Sequence, residues 1–119
     1  MRIGQVILRV VDLDRSLAFW TRSVGFELTM RAEAFAFLDG GSVGLTLNQV
    51  DQPPEDESLT EIVIEFDDVL GAHSDLSDRG VPFEVELRPV TSDGDRDLFA
   101  AHFRDPDGHL ASVVGWVDK

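Results

Sequence analysis

The sequence predicts an α+β protein made of two βαβββ modules that form one shared cleft. Three observations carry this. A strand, a helix and three further strands read in order over about residues 1–50. The same order returns over about 59–119, after a polar, proline-bearing stretch. The two halves also match at their starts, where Gln5-Val6-Ile7-Leu8-Arg9-Val10 lies over Glu61-Ile62-Val63-Ile64-Glu65-Phe66. Both helix candidates end in glycine, at Gly25 and Gly80, and each is soon followed by Phe-Glu.

The elements follow one by one. "QVILRVVDL" is a strand by its β-branched content. In "DLDRSLAFWTRSVG", Asp12 or Asp14 caps a helix, Leu13, Leu17, Trp20 and Val24 recur at helical spacing, and Gly25 suits the exit. "FELTMR", "AFAFLD" and "VGLTLNQV" are short strands, with Gly40-Gly41 turning between the last two. "DQPPEDES", residues 51–58, has the composition of a linker. In the second half "EIVIEFDDV" is a strand, and "DDVLGAHSDLSDRG" is a helix capped by Asp67 or Asp68 and closed by Gly80. "PFEVELRPV", "DLFAAHFRD" and "HLASVVGWV" complete the module. Asp105-Pro106-Asp107-Gly108 is turn chemistry, since proline presets one backbone angle and glycine tolerates another. Phe37-Leu38-Asp39 is laid over Phe103-Arg104-Asp105. Trp20 and the phenylalanines at 19, 26, 37, 66 and 103 read as core.

Side chains alternate across a strand. Val6, Leu8 and Val10 should pack under the first helix, and Ile62, Ile64 and Phe66 under the second. That leaves Gln5, Ile7 and Arg9 on one opposite face, and Glu61, Val63 and Glu65 on the other. An open sheet face toward water gives such alternation too. Its recurrence in both halves favours a cleft.

The totals set bounds. One domain of 119 residues with 43% apolar residues can build a core. The net charge is −13, and the ten basic residues are scattered singly. That pattern argues against nucleic acid and anionic membranes as partners. No apolar run reaches the roughly 18 residues of a membrane span, and "MRIGQVILRV" is too short and alternating for a secretory signal. Cysteine is absent, which removes disulfides and thiolate metal sites, and a cytoplasmic location is expected. There is no Gly-x-Ser-x-Gly, phosphate loop or dinucleotide fingerprint, and no serine or threonine has an evident base partner.

The segments "VILRVVDLDRSLAFWTRSVGF" and "HFRDPDGHLASV" resemble the vicinal oxygen chelate superfamily. That family includes glyoxalase I, ring-cleaving dioxygenases, fosfomycin-resistance enzymes and bleomycin-binding proteins. The first segment resembles the family's strand, aspartate, helix and Gly-Phe exit, and the second its closing Asp-Pro-Asp-Gly turn. The resemblance covers nearly the whole chain and implies the fold. It implies much less about activity, since one fold hosts many functions. Metal-dependent members carry one ligand, usually His or Glu, on the first and last strand of each module. The resemblance puts Gln5, Gly44, Glu61 and Ser112 there. Glutamine is a ligand in some glyoxalases, but two protein ligands are too few for zinc, nickel or iron.

The residues taken as ligand-binding are Gln5, Arg9, Thr46, Asn48, Glu61, Glu65, His102, Ser112 and Trp116. His102 either bonds to Glu61 or Glu65, or makes a shifted metal site with Glu61. Arg9 either pairs with Glu65 or recognises an anion. Thr46 and Asn48 are ligand contacts or strand-end polar residues. Trp116 walls the cleft or joins the core. His109 is expected at the surface, His73 at a boundary, and residues 91–97 in a polar hairpin loop beside the cleft. The resulting expectation is a homodimeric protein that binds a small molecule, with Glu61 and Glu65 suited to a cationic group, and needs no metal or other cofactor. Drug sequestration is the form the resemblance implies. A metal-dependent lyase, isomerase or dioxygenase with a rearranged site is the alternative. A third possibility is a cleft filled by its own side chains in a protein that acts through protein contacts.

Overall fold

The computed structural model describes residue 1, residues 3–52 and residues 60–119. Apart from residues 51 and 52, the expected linker lies outside the described residues. The elements are β1 (Gln5–Val10), α1 (Leu13–Ala18) running into a π-helical stretch (Phe19–Val24), β2 (Glu27–Arg31), β3 (Phe35–Asp39) and β4 (Gly44–Gln49). Then come β5 (Glu61–Glu65), α2 (Val69–Asp78), β6 (Phe83–Ser92), β7 (Arg96–Arg104) and β8 (Leu110–Asp118). They make two four-stranded sheets with the same topology, β1-β4-β3-β2 and β5-β8-β7-β6. In each, the first and last strands of the module run parallel and the rest are antiparallel. The chain divides into two compact units, Met1–Glu57 with Asp105–Asp107, and Ser58–Arg104 with Gly108–Lys119. Among the described residues no helix is long and apolar enough to cross a membrane.

In the first unit Asp12 is the helix cap, and its carboxylate accepts from the Arg15 backbone N–H at 3.1 Å. Gln49 Oε1 accepts a second free N–H of the first turn, that of Leu13, at 3.0 Å. Beyond Ala18 the helix widens. The backbone N–H groups of Gly25 and Phe26 both reach the Trp20 carbonyl, at 3.1 and 3.0 Å. Gly25 closes the helix at φ 116°, where a residue with a Cβ would be strained. Leu13, Trp20 and Val24 are buried, as are Leu8, Val10, Ala36, Leu38, Leu45 and Leu47 on the sheet.

The tip of the β7–β8 turn belongs to this first unit. Trp20 Nε1 donates to Asp105 Oδ2 at 3.2 Å, a buried hydrogen bond. Asp107 Oδ1 accepts from the Val11 backbone at 2.9 Å and from Arg15 Nη2 at 3.3 Å. The turn thus fastens the start and the middle of the first helix.

In the second unit Asp68 caps α2 by accepting from the Gly71 N–H at 3.0 Å. Val69 and Leu76 are buried, with Ala101, Phe103, Ala111 and Val113 on the sheet. The helix lies close on β8. A Cβ at Gly115 would stand 2.6 Å from the Phe66 carbonyl oxygen and 2.6 Å from Val69 Cβ. Only a glycine permits that approach.

Register corrects three sequence expectations. Gln5 pairs with Gly44 and Ile7 with Thr46, while Glu61 pairs with Leu110 and Val63 with Ser112. With Gln5 and Glu61 in equivalent places, the counterpart of Ser112 is therefore Thr46, not Gly44. On the neighbouring strand the counterpart of His102 is Phe37, and that of Phe103 is Leu38. The first follows from the pairing of β1 with β4; the second from the β7–β8 connection, one residue longer than the β3–β4 connection. Phe37 accordingly leaves the core and lies on the face opposite the helix. The strands at the Asp93–Asp95 turn also run further than expected, so only residues 93–95 separate β6 from β7.

Candidate functional site

On the first sheet, the face away from α1 is built in rows. The row of Gln5 continues through Gly44 and Asp39 to Glu27. The next holds Ile7, Thr46, Phe37 and Met30, and the third Arg9, Asn48 and Phe35. Thr46 is buried, and its hydroxyl donates to Gln5 Oε1 in a short hydrogen bond. That contact orients the Gln5 amide and leaves its N–H groups as what the side chain offers outward. Asn48 is half-buried and Arg9 exposed. Phe35 and Phe37 are stacked, with ring centroids 6.0 Å apart and planes 19° from parallel. Phe35 remains 36% exposed, Ile7 43% and Met30 56%. The sequence reading missed this apolar and aromatic surface because it assigned Phe37 to the core and gave Phe35 no role.

On the second sheet, the matching face carries Glu61, Val63 and Glu65 on β5, with Leu110, Ser112, Val114 and Trp116 on β8 and His102 on β7. Ser112 is buried, in one row with Val63 and His102. The Glu61 carboxylate and His102 Nδ1 lie 3.0 Å apart, so the pair reaches across β8 at the level of Ser112. Of the two partners open to His102, the structure selects Glu61. Glu65 is exposed further along β5. Trp116 is half-buried and stands apart, with the Arg96 guanidinium 4.7 Å from its ring centroid. His73 behaves as a boundary residue, its ring tilted 54° against Phe83 with centroids 4.6 Å apart and bonded to Glu86 at 2.9 Å. His109 is buried rather than superficial, because the turn that carries it folds inward.

Gln5 and Glu61, and Thr46 and Ser112, stand at equivalent places in the two sheets. Of Gln5, Thr46, Glu61 and Ser112, one is a carboxylate and none is a histidine. The Gln5 carbonyl is occupied by the Thr46 hydroxyl, and the Glu61 carboxylate by His102. Among the described residues no three His, Asp or Glu side chains gather as a ligand set. This set does not fit a transition metal held by three or four protein donors.

A profile of the Glyoxalase/Bleomycin resistance protein/Dioxygenase superfamily matches residues 2–113. The metallothiol transferase FosB of Lysinibacillus sphaericus is 28% identical over 108 residues, which cover 90% of this chain and 77% of that protein. Among solved structures, a glyoxalase/bleomycin resistance protein/dioxygenase from Alicyclobacillus acidocaldarius superposes with a TM-score of 0.81 at 20% identity, covering 98% of this chain and 92% of that one. A lactoylglutathione lyase from Agrobacterium tumefaciens superposes with a TM-score of 0.75 at 18% identity, covering 96% and 92%. At such identities the structural likeness speaks for the fold alone. The profile match spans nearly the whole length, and with the duplicated βαβββ topology it leads to one conclusion: this chain belongs to the glyoxalase/bleomycin resistance protein/dioxygenase superfamily.

Proposed function

We propose that this protein binds a small organic molecule and sequesters it without a catalytic metal, in the manner of a resistance protein. The observation that carries the reading is the state of the family ligand positions. Two bear small hydroxyl side chains, both buried, and the other two already hold hydrogen-bond partners within their own sheets. Sequestration needs a shaped surface, apolar contact and a few fixed polar groups, with no bond-making step. The exposed aromatic and aliphatic side chains of the first sheet supply contact area.

One observation favours the metal-dependent alternative. His102 stands directly across from Ser112, and its imidazole meets Glu61 at 3.0 Å. A rearranged centre would use these two donors, and the relative named as a metallothiol transferase points the same way. The test is elemental analysis of protein purified without chelator or metal-binding tag, paired with a thermal-shift ligand screen. Sequestration expects less than a tenth of an equivalent of zinc, nickel, iron or manganese, and a ligand that stabilises the fold in the presence of EDTA. One metal per chain that is lost in Glu61→Gln would overturn it.

A further inference from the structure

We infer that the open face of the first sheet receives a planar aromatic ligand carrying a carboxylate or similar anionic group. This rests on the small-molecule reading above. The argument starts with what the face exposes. Phe35 and Phe37 are stacked on each other, and beside them Ile7 and Met30 remain about half in water. Four large apolar side chains on one sheet face form a platform rather than isolated surface residues. Aromatic rings favour a partner ring that stacks offset or edge-on, so a flat ligand gains more here than a globular one.

The polar groups set the ligand's charge. Charge is graded along the strands. Glu27 and Asp39 lie at the Gly44 end, and Arg9 lies at the Asn48 end, about 13 Å away along β1. Arg9 shares its row with Asn48 and Phe35, two strand spacings or about 10 Å from the aromatic ring. A fused bicyclic ring bearing a carboxylate spans that gap, with the ring on Phe35 and the carboxylate at the guanidinium. Arginine's planar fork matches a carboxylate in two parallel hydrogen bonds. Gln5 adds N–H donors to the same face, because Thr46 already occupies its carbonyl oxygen. The acidic end repels the anion, which fixes the ligand's direction along the strands. The net charge of −13 opposes any anion at long range, but groups beyond about 8 Å are screened at physiological ionic strength.

The probe is 2-naphthoate, titrated by calorimetry against the whole protein in 0.15 M salt. 2-Naphthylmethanol and 2-naphthylmethylamine serve as neutral and cationic comparators. The acid should bind at least tenfold more tightly than the alcohol. Arg9→Met should remove that difference and leave the alcohol's affinity unchanged, and Phe35→Leu should weaken both. Circular dichroism confirms that each variant is folded, and both substitutions are at exposed positions. Tighter binding of the amine than of the acid overturns the inference and leaves the small-molecule reading standing. So does loss of no affinity in either variant. If none of the three probes binds at millimolar concentration while the thermal-shift screen finds another ligand, the ligand class is wrong and sequestration survives. If that screen is also empty, both fail.

Discussion

In the row that begins with Ile7, the first sheet carries Thr46 and Phe37; in the row that begins with Val63, the second carries Ser112 and His102. The buried hydroxyl is common to both. Its neighbour on the next strand is not, and that neighbour decides where the amide or acid at the head of the first strand turns. Phe37 offers no hydrogen bond, and Gln5 takes the Thr46 hydroxyl. Opposite His102, Glu61 reaches across β8 to the imidazole. The residue on the neighbouring strand thus sets the polar partner in each sheet. The helix side shows the same principle. Gln49 reaches up to cap the first helix, whereas its counterpart Gly115 leaves room for α2 to lie directly on the strand.

The largest effect should come from breaking that second arrangement. Gly115→Val drives two methyl groups into the Phe66 carbonyl and Val69, and should destabilise the protein by about 3 kcal/mol or prevent folding. Gln49→Ala at the equivalent place removes one cap hydrogen bond and should cost about 1 kcal/mol. Urea unfolding of both variants measures the contrast, and equal losses would contradict the different helix seatings.

Next is the turn that fastens the first helix. Asp107 is buried, with Oδ1 shared by the Val11 N–H and Arg15, and Oδ2 without a hydrogen-bond partner among the described residues. Asp107→Ala should cost about 2 kcal/mol, reflecting charge-assisted bonds offset by removal of a half-satisfied buried carboxylate. Asp14→Ala removes an exposed partner of Arg31 and should cost less than about 0.5 kcal/mol. Trp20 fluorescence during unfolding distinguishes the two. A silent Asp107 variant would mean that the turn does not hold the helix.

A smaller effect is expected where the two rows diverge. His102→Phe gives the second sheet the first sheet's residue and releases Glu61. Because both partners are partly exposed, stability should change by less than about 1 kcal/mol. A loss above 2 kcal/mol would show that the pair is a structural necessity of the second sheet.

The smallest effect lies at the β6–β7 turn, which has no counterpart of comparable chemistry on the first sheet. The Arg96 backbone N–H, opposed by desolvation and aided further by the Arg96 guanidinium and the Asp95 N–H, holds the Asp93 carboxyl below its ordinary value of 3.8. A lowered folded-state value means that the contribution is present above the unfolded value and is lost as pH falls through the folded one. Carboxyl chemical shifts should titrate with a midpoint below 3.8, and a midpoint at or above it would break the assignment.

The element order and caps were legible because their causes are local. Asp12 and Asp68 bond to N–H groups three residues on, and Gly25 and Gly80 adopt positive φ where the helices end. Register was not local. Choosing Thr46 over Gly44 depends on which residues pair across β1 and β4, and Phe37 lies on the open face because it pairs opposite Thr46, a match that the one-residue difference between the two turns hides. The helical spacing of Leu13, Leu17, Trp20 and Val24 suited an α-helix, yet the second half is π-helical. An apolar stripe does not report which N–H the Trp20 carbonyl accepts. A turn residue such as His109 is expected at the surface, while its burial depends on how this turn packs. On the open sheet faces, the placement of the polar residues was readable by alternation, and the stacked Phe35 and Phe37 were not.

The fastening of the first helix by the far turn also bears on synthesis. Val11 and Asp107 are 96 residues apart, and Trp20 and Asp105 are 85 apart. At about 5–20 residues per second, a ribosome takes roughly 5–20 s to travel from one to the other. During that interval β1 to β4 can pair, but the indole N–H of Trp20 and the backbone of Val11 wait for acceptors not yet made. The amino-terminal half therefore completes these two contacts only after residue 107 has left the tunnel.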